Sequence, residues 1–164
     1  MSFPILYSFR RCPYAMRARM ALVYAKQKIE LREITLKNKP ISMLGYSPKG
    51  TVPVLVLVSG KNRIIDESLE IMHWALSQND PEHWLPKLST PEQSSTGLPL
   101  IAKMEALIHQ CDHDFKPLLD RYKYANRHPE HTEIYYRTQG EAFIQALEKR
   151  LTQQTFILGE QITL

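Results

Sequence analysis

The run PVLVLV over residues 53–58 limits the possible folds more than any other segment. Every residue from Val54 to Val58 is an apolar, branched side chain. Such a run predicts a strand buried on both faces, with sheet neighbours beside it and helices packed on it. The flanking sequence supplies candidates for both. Residues 4–9 (PILYSF) and 31–36 (LREITL) read as strands, the second half-buried. Gly60-Lys61-Asn62 reads as a tight turn and RIID, residues 63–66, as a return strand. Pro13 stands where a helix tolerates proline, in the first turn of YAMRARMALVYAKQK. Met16, Met20 and Val23 can share one face of that helix. Ser68 opens another helix, LEIMHWALSQ, with Glu67 and Glu70 at its positive end. The order is β-α-β, a connector holding KNKP and the breaker Pro48-Lys49-Gly50, then β-β-α. With a helix in that connector the predicted layout is β-α-β-α-β-β-α over residues 1–78. That is an α/β, thioredoxin-like domain with a four-stranded mixed sheet.

The texture then changes. Residues 79–99 hold four prolines (Pro81, Pro86, Pro91 and Pro99), Ser94-Ser95 and Gly97, and read as a linker. Beyond it, Leu100, Met104, Leu107, Cys111, Phe115, Leu118 and Tyr122 recur at helical spacing. A second helix over about 131–152 carries Ile134, Phe143, Ile144, Leu147 and Leu151. Residues 100–164 are thus expected to be a partial all-helical domain. Ile162-Thr163 looks like the apolar residue and N-cap that precede a helix, which gives the expectation of a chain cut short there.

Composition narrows the classes. Hydrophobic content of 43% and charged content of 23% are those of a soluble globular protein. No apolar run approaches the roughly 20 residues a membrane helix needs, and MSFPILYSFRRC has no signal-peptide succession. Two cysteines, Cys12 and Cys111, do not make a secreted disulfide framework, so a cytoplasmic location is expected. The net charge of +4 is scattered, with its densest cluster (Arg10, Arg11, Arg17, Arg19) around Cys12. Neither a nucleic-acid nor a membrane partner is expected from such a pattern.

Cys12-Pro13 at a strand-to-helix junction is the most informative pair. A cysteine there faces unpaired backbone N–H groups and the positive end of the helix dipole, which favour thiolate over thiol. An inert buried cysteine is the alternative for this residue type alone. Position 15, where the second sulfur of a CxxC site would stand, is Ala15. Cys111 lies in a helix beyond the linker and reads as core. The disulfide partner must then come from outside, and glutathione is the abundant cytosolic thiol.

Val52-Pro53 opens the buried strand. A cis bond there would turn the Val52 amide and carbonyl outward, free to pair with an extended peptide; an ordinary strand-opening proline is the alternative. Glu67-Ser68 offers a carboxylate, a hydroxyl and free N–H groups suited to an α-amino-acid head such as the γ-glutamyl end of glutathione. A plain N-cap would use the same residues. His109 and His113 stand one turn apart, the spacing of a two-histidine metal clip, but no further ligand is evident and no metal is expected.

CPYAMRARMAL, LKNKP, VPVL and ESLEI, in this order, resemble the omega and related cysteine-type glutathione transferases. They are also similar to the larger, transferase-like bacterial glutaredoxin. The resemblance covers the N-terminal domain, while the remainder matches in texture and in LGEQITL. It implies that Cys12 is the nucleophile, Val52 the backbone partner of the glutathione cysteinyl unit and Pro53 the cis-proline. It also implies that Glu67 and Ser68 hold the γ-glutamyl group and Lys39 the glycyl carboxylate. Ala15 departs from the glutaredoxin and argues against dithiol protein reduction. The expected function is a glutathione-dependent thiol transferase or reductase using glutathione as co-substrate on a small electrophile or disulfide, by a monothiol route through Cys12. Self-association, as a homodimer, is expected as well. A non-enzymatic binding module of the same fold and a conjugating transferase are the alternatives. For conjugation, the hydroxyls of Tyr7 and Ser8 are the candidates of interest, although Tyr7 inside a strand reads as core.

Overall fold

Alternate residues of one strand point to opposite sides of a sheet, and here both sides are covered. The computed structural model describes residues 3–58, 62–87 and 91–164. Its first unit, Met1–Pro81, holds strands β1 (Ile5–Ser8), β2 (Glu30–Glu33), β3 (Val54–Leu57) and β4 (Arg63–Ile65). Helices α1 (Pro13–Tyr24), α2 (Ile41–Tyr46) and α3 (Ser68–Gln78) complete it. The sheet order is β2-β1-β3-β4. β1 runs parallel to β2 with Leu6 opposite Leu31, and antiparallel to β3 with Leu6 opposite Leu55. β4 returns antiparallel along β3 with Ile65 opposite Leu55. This is the thioredoxin-like mixed sheet expected from the element order. Of the turn assigned to Gly60-Lys61-Asn62, only Asn62 lies among the described residues.

On one side, Leu6, Leu55 and Ile65 pack with Ala18, Ala21, Leu22 and Ala25 of α1 and with Ile71 and Ala75 of α3. On the other side, Tyr7, Val54 and Val56 pack with Ile34 and with Met43 of α2. Each fully buried leucine or valine contributes about 1.5–3 kcal/mol. The face of α1 that meets the core is made of alanines, small enough to bring the helix close. Met16, Met20 and Val23 do share a face, but it is the exposed one: Met20 is 64% and Val23 76% exposed. LREITL is wetter than expected, with Leu31 half-exposed and the buried residue, Ile34, just past the end of β2.

The second unit, Glu82–Leu164, is helical. Helix α4 (Pro91–Gln110) begins inside the stretch expected to be linker and carries Pro99 within it. A π-helical turn, Cys111–Phe115, follows and leads into α5 (Lys116–Lys123). After a 3-10 turn at Ala125–Arg127 comes α6 (Glu133–Leu151). Its N-cap is Thr132, whose hydroxyl accepts the Tyr135 N–H at 3.2 Å. The inward face of α6 differs from the one its apolar pattern suggests. Tyr136 and Gly140 are buried, and a side chain at Gly140 would touch Phe115. Phe143 stacks on Phe115 at 5.1 Å, so it is spent within the unit. Ile134 is 75% exposed, and Ile144 and Leu151 are about half exposed. Residues 160–164 are not helical; the Leu164 N–H donates to the Trp84 carbonyl at 3.1 Å. No described helix is long and apolar enough to cross a membrane.

Candidate active site

The loop between β1 and α1 is braced from behind. Arg19, one and a half turns into α1, donates to the hydroxyl of buried Ser8 at 2.6 Å and to the carbonyls of Phe9 and Arg10. The Phe9 carbonyl also accepts the Cys12 N–H at 3.0 Å. Arg19, one of the arginines clustered around Cys12, thus also holds the loop that presents the sulfur.

Cys12 is the N-cap residue of α1, in extended conformation, with Pro13 beginning the helix. Its Sγ is half-buried and lies 3.6 Å from the Val52 carbonyl oxygen, to which the thiol donates. The Val52-Pro53 bond is cis. Two backbone features thus converge on one sulfur, the open amide end of a helix and the last carbonyl before a buried strand. Just upstream, buried Gly50 has φ +63°, a conformation that favours glycine. A side chain there would also meet the Lys39 ammonium at 3.4 Å, so Lys39 lies along this turn.

Two further residues stand at the start of α3. Glu67 is its N-cap residue, extended, with no capping bond from its own side chain. Ser68 is buried, and its hydroxyl accepts from Arg17 Nε at 3.0 Å, while the Arg17 guanidinium lies over the Tyr14 ring. The helix thus keeps the N–H groups of its first turn, and beside them stand one carboxylate and one guanidinium.

Sequence reasoning missed a cluster on the Glu67 side. Lys49 Nζ donates to Glu67 at 2.7 Å and to Asp66 at 3.1 Å. Asp66 in turn accepts from the hydroxyl of Ser47, which is fully buried, at 2.6 Å. The Ser47 hydroxyl holds the Asp66 carboxyl below the usual carboxylate range, with Lys49 adding to it against the opposing effect of burial. The Glu67 and Asp66 carboxylates raise the Lys49 ammonium above its ordinary value. The signal was present as Asp66 beside Glu67 and as Lys49 between Pro48 and Gly50, but nothing local pairs them.

Cys12, Val52 and Pro53 come together; Glu67 and Ser68 adjoin each other at α3; Lys39 sits at the Gly50 turn. Tyr7 is fully buried, donates to Ser42 at 3.0 Å and accepts from Arg32, and Ser8 is likewise enclosed. Cys111 is half-buried in the π-helical turn of the other unit, and the rings of His109 and His113 lie 4.3 Å apart. Among the described residues, no group of three or more histidine, cysteine or carboxylate side chains is arranged to hold a metal.

Residues 6–84 match the family model described as glutathione S-transferase, N-terminal domain. A stretch of 64 residues is 41% identical to glutathione S-transferase omega-1 of Rattus norvegicus. That stretch is 39% of this chain and 26% of the relative, so the match spans about a quarter of the curated relative's length. Solved structures resemble a larger share. Glutathione transferase omega 2C of Trametes versicolor aligns with TM-score 0.74 at 21% identity, over 99% of this chain and 67% of that one. A delta-class glutathione transferase of Nilaparvata lugens aligns with TM-score 0.77 at 15% identity, over 98% and 72%. These structural likenesses show the fold.

Proposed function

We propose that the chain is a glutathione-dependent thiol transferase of the glutathione transferase superfamily, omega-like, acting through Cys12. The observation that supports this most is the placement of the Cys12 sulfur 3.6 Å from the Val52 carbonyl at the open end of α1. A glutathione whose cysteinyl unit pairs with the Val52 backbone carries its own sulfur toward Cys12. Glu67 takes the γ-glutamyl ammonium, Ser68 and the first N–H groups of α3 take its carboxylate, and Lys39 takes the glycyl carboxylate. Pro53 sets the direction of the Val52 backbone.

The chemistry needs one protein sulfur. The Cys12 thiolate attacks the glutathionyl sulfur of a mixed disulfide; a new S–S bond forms, and the substrate leaves as a thiolate that takes up a proton. A second glutathione, as thiolate, attacks the adduct at its glutathionyl sulfur. Oxidised glutathione departs and Cys12 is restored, so one mixed disulfide and one glutathione give one thiol and one oxidised glutathione. Ala15 leaves no neighbouring thiol to intercept the adduct. The helix N–H groups facing Cys12 stabilise it as leaving group in the second step. Conjugation activated by a hydroxyl draws less support, because Tyr7 and Ser8 are buried and bonded to arginines. A reducing compartment such as the cytoplasm, where glutathione is plentiful, suits the two free cysteines. Self-association as a homodimer is part of this reading, supported by the half-exposed Ile144 and Leu151 of α6. Light scattering during chromatography tests it, with Ile144→Glu as the variant expected to shift any assembly built on that helix.

Reduction of the mixed disulfide of hydroxyethyl disulfide with glutathione tests the mechanism. Cys12→Ser is expected to abolish turnover, and Cys111→Ser to leave it nearly intact. Equal loss in the two variants would make Cys111 a resolving thiol and end the monothiol scheme.

A further inference from the structure

The carboxylate that the proposed function assigns to the γ-glutamyl ammonium already has a cation of its own. Glu67 is 61% exposed at its side chain, and Lys49 stands 2.7 Å from it. This contact is no accident of a wandering lysine. Lys49 is also 3.1 Å from Asp66, and the buried hydroxyl of Ser47 anchors Asp66 at 2.6 Å. The next residue, Gly50, is buried at φ +63°, which fixes the backbone from which Lys49 extends. Asp66 held low and Lys49 held high keep both charges in place at neutral pH. The ends of the subsite are polarised: carboxylates and Lys49 lie on the Asp66-Glu67 side, while Arg17 lies on the Ser68 side. An amino-acid head can dock in one sense only, ammonium toward Glu67 and carboxylate toward Ser68, and in that sense it meets Lys49.

We propose that Lys49 competes with the α-ammonium of the incoming glutathione for Glu67, and so sets how tightly this site holds the co-substrate. Lys49 acts through Glu67 and is a specificity-determining residue with no part in the thiol chemistry. When the ligand arrives, Lys49 gives up Glu67 and keeps Asp66, whose second oxygen remains with Ser47. The inference rests on the glutathione reading of the site, and one set of titrations separates the two.

The protein and its Lys49→Met and Lys49→Arg variants are titrated calorimetrically with S-methylglutathione. The same three proteins are titrated with its analogue lacking the α-amino group. Removing an exposed competing pair is expected to tighten S-methylglutathione about two- to fivefold in Lys49→Met, the scale of exposed ion pairs. The deamino analogue, which does not use Glu67, is expected to bind both proteins equally. Lys49→Arg keeps the pair and is expected to match the parent. Weaker binding of S-methylglutathione to Lys49→Met, or an equal change for both ligands, would overturn the proposal while leaving the glutathione reading standing. Failure of the parent protein to bind either ligand would overturn that reading and the proposal with it. Thermal melting of Lys49→Met within a few degrees of the parent shows that the variant is folded.

Discussion

The two units differ in how much apolar surface they bury and in how many of their charged side chains meet a buried hydroxyl. In the N-terminal unit, buried leucines, valines and alanines fill both sides of a sheet, and each of the three buried serines among its described residues faces a charged side chain. Ser8 meets Arg19, Ser47 meets Asp66, and Ser68 meets Arg17. In the C-terminal unit, Met104 and Tyr136 are the buried large side chains among the described residues, and one buried hydroxyl, that of Tyr136, donates to a carboxylate, Glu130, at 3.3 Å. Two ion pairs among its described residues, Lys116 with Asp120 and Arg137 with Glu141, run along single helices. The difference teaches where precision is needed. A buried hydroxyl holds a charge in one direction, as a site that must orient a sulfur and a zwitterionic head requires. Pairs four residues apart on a helix surface add a few tenths of a kcal/mol and orient nothing beyond their own helix.

The contrast is breakable, first by truncation. Leu55→Ala in β3 is expected to cost about 2–5 kcal/mol, whereas Ile134→Ala on α6 should stay within about 0.5 kcal/mol. Denaturant melts of the two variants measure this. Similar costs would mean that Ile134 is covered in solution. Hydrogen exchange gives the same comparison without mutation. Amides of β1 and β3 should exchange only with global unfolding, and those of α6 through shallower openings. Uniform protection across both units would erase the distinction.

The next effects sharpen it within the site. Ser47→Ala removes a buried donor from a charged acceptor and is expected to cost about 1–3 kcal/mol. Asp66 then gives a pH signature. Its folded carboxyl is held below its unfolded value, principally by the Ser47 hydroxyl. Its contribution is therefore fully present above about pH 4, the unfolded range, and is lost as pH falls through the lower folded value. The urea midpoint of the parent protein should fall more steeply on acidification below pH 4 than that of Asp66→Asn. Parallel curves would show that Asp66 is not held in this way. The smallest effect belongs to the C-terminal unit, where a double-mutant cycle on Arg137 and Glu141 should return no more than about 0.5 kcal/mol.

What could be read from the sequence follows the same division. Cys12-Pro13, Val52-Pro53 and Glu67-Ser68 are adjacent pairs at element boundaries, and local chemistry marks them. β3 was legible because its run from Val54 offers no polar face, although Val58 lies past its end and is partly exposed. The bonds joining residues 47 to 66, 49 to 67 and 17 to 68 link positions that one sequence cannot pair, so Ser47, Lys49, Asp66 and Arg17 went unrecognised as one surround. Helix faces failed differently. Met16, Met20 and Val23 are more apolar than the alanines of α1, yet three alanines of α1 and Leu22 go inward, because close packing against α3 and the sheet favours small side chains at most of that face. On α6, Gly140 lies against Phe115 and Tyr136 is buried, whereas Ile134 is exposed.

The central claim, that one sulfur performs the chemistry, has a direct test. The protein is incubated with oxidised glutathione, and its intact mass is read before and after reduction, with the modified peptide mapped. One glutathionyl group on Cys12, removed by added glutathione, is the expected result. No adduct, or an internal disulfide between Cys12 and Cys111 in its place, would contradict it.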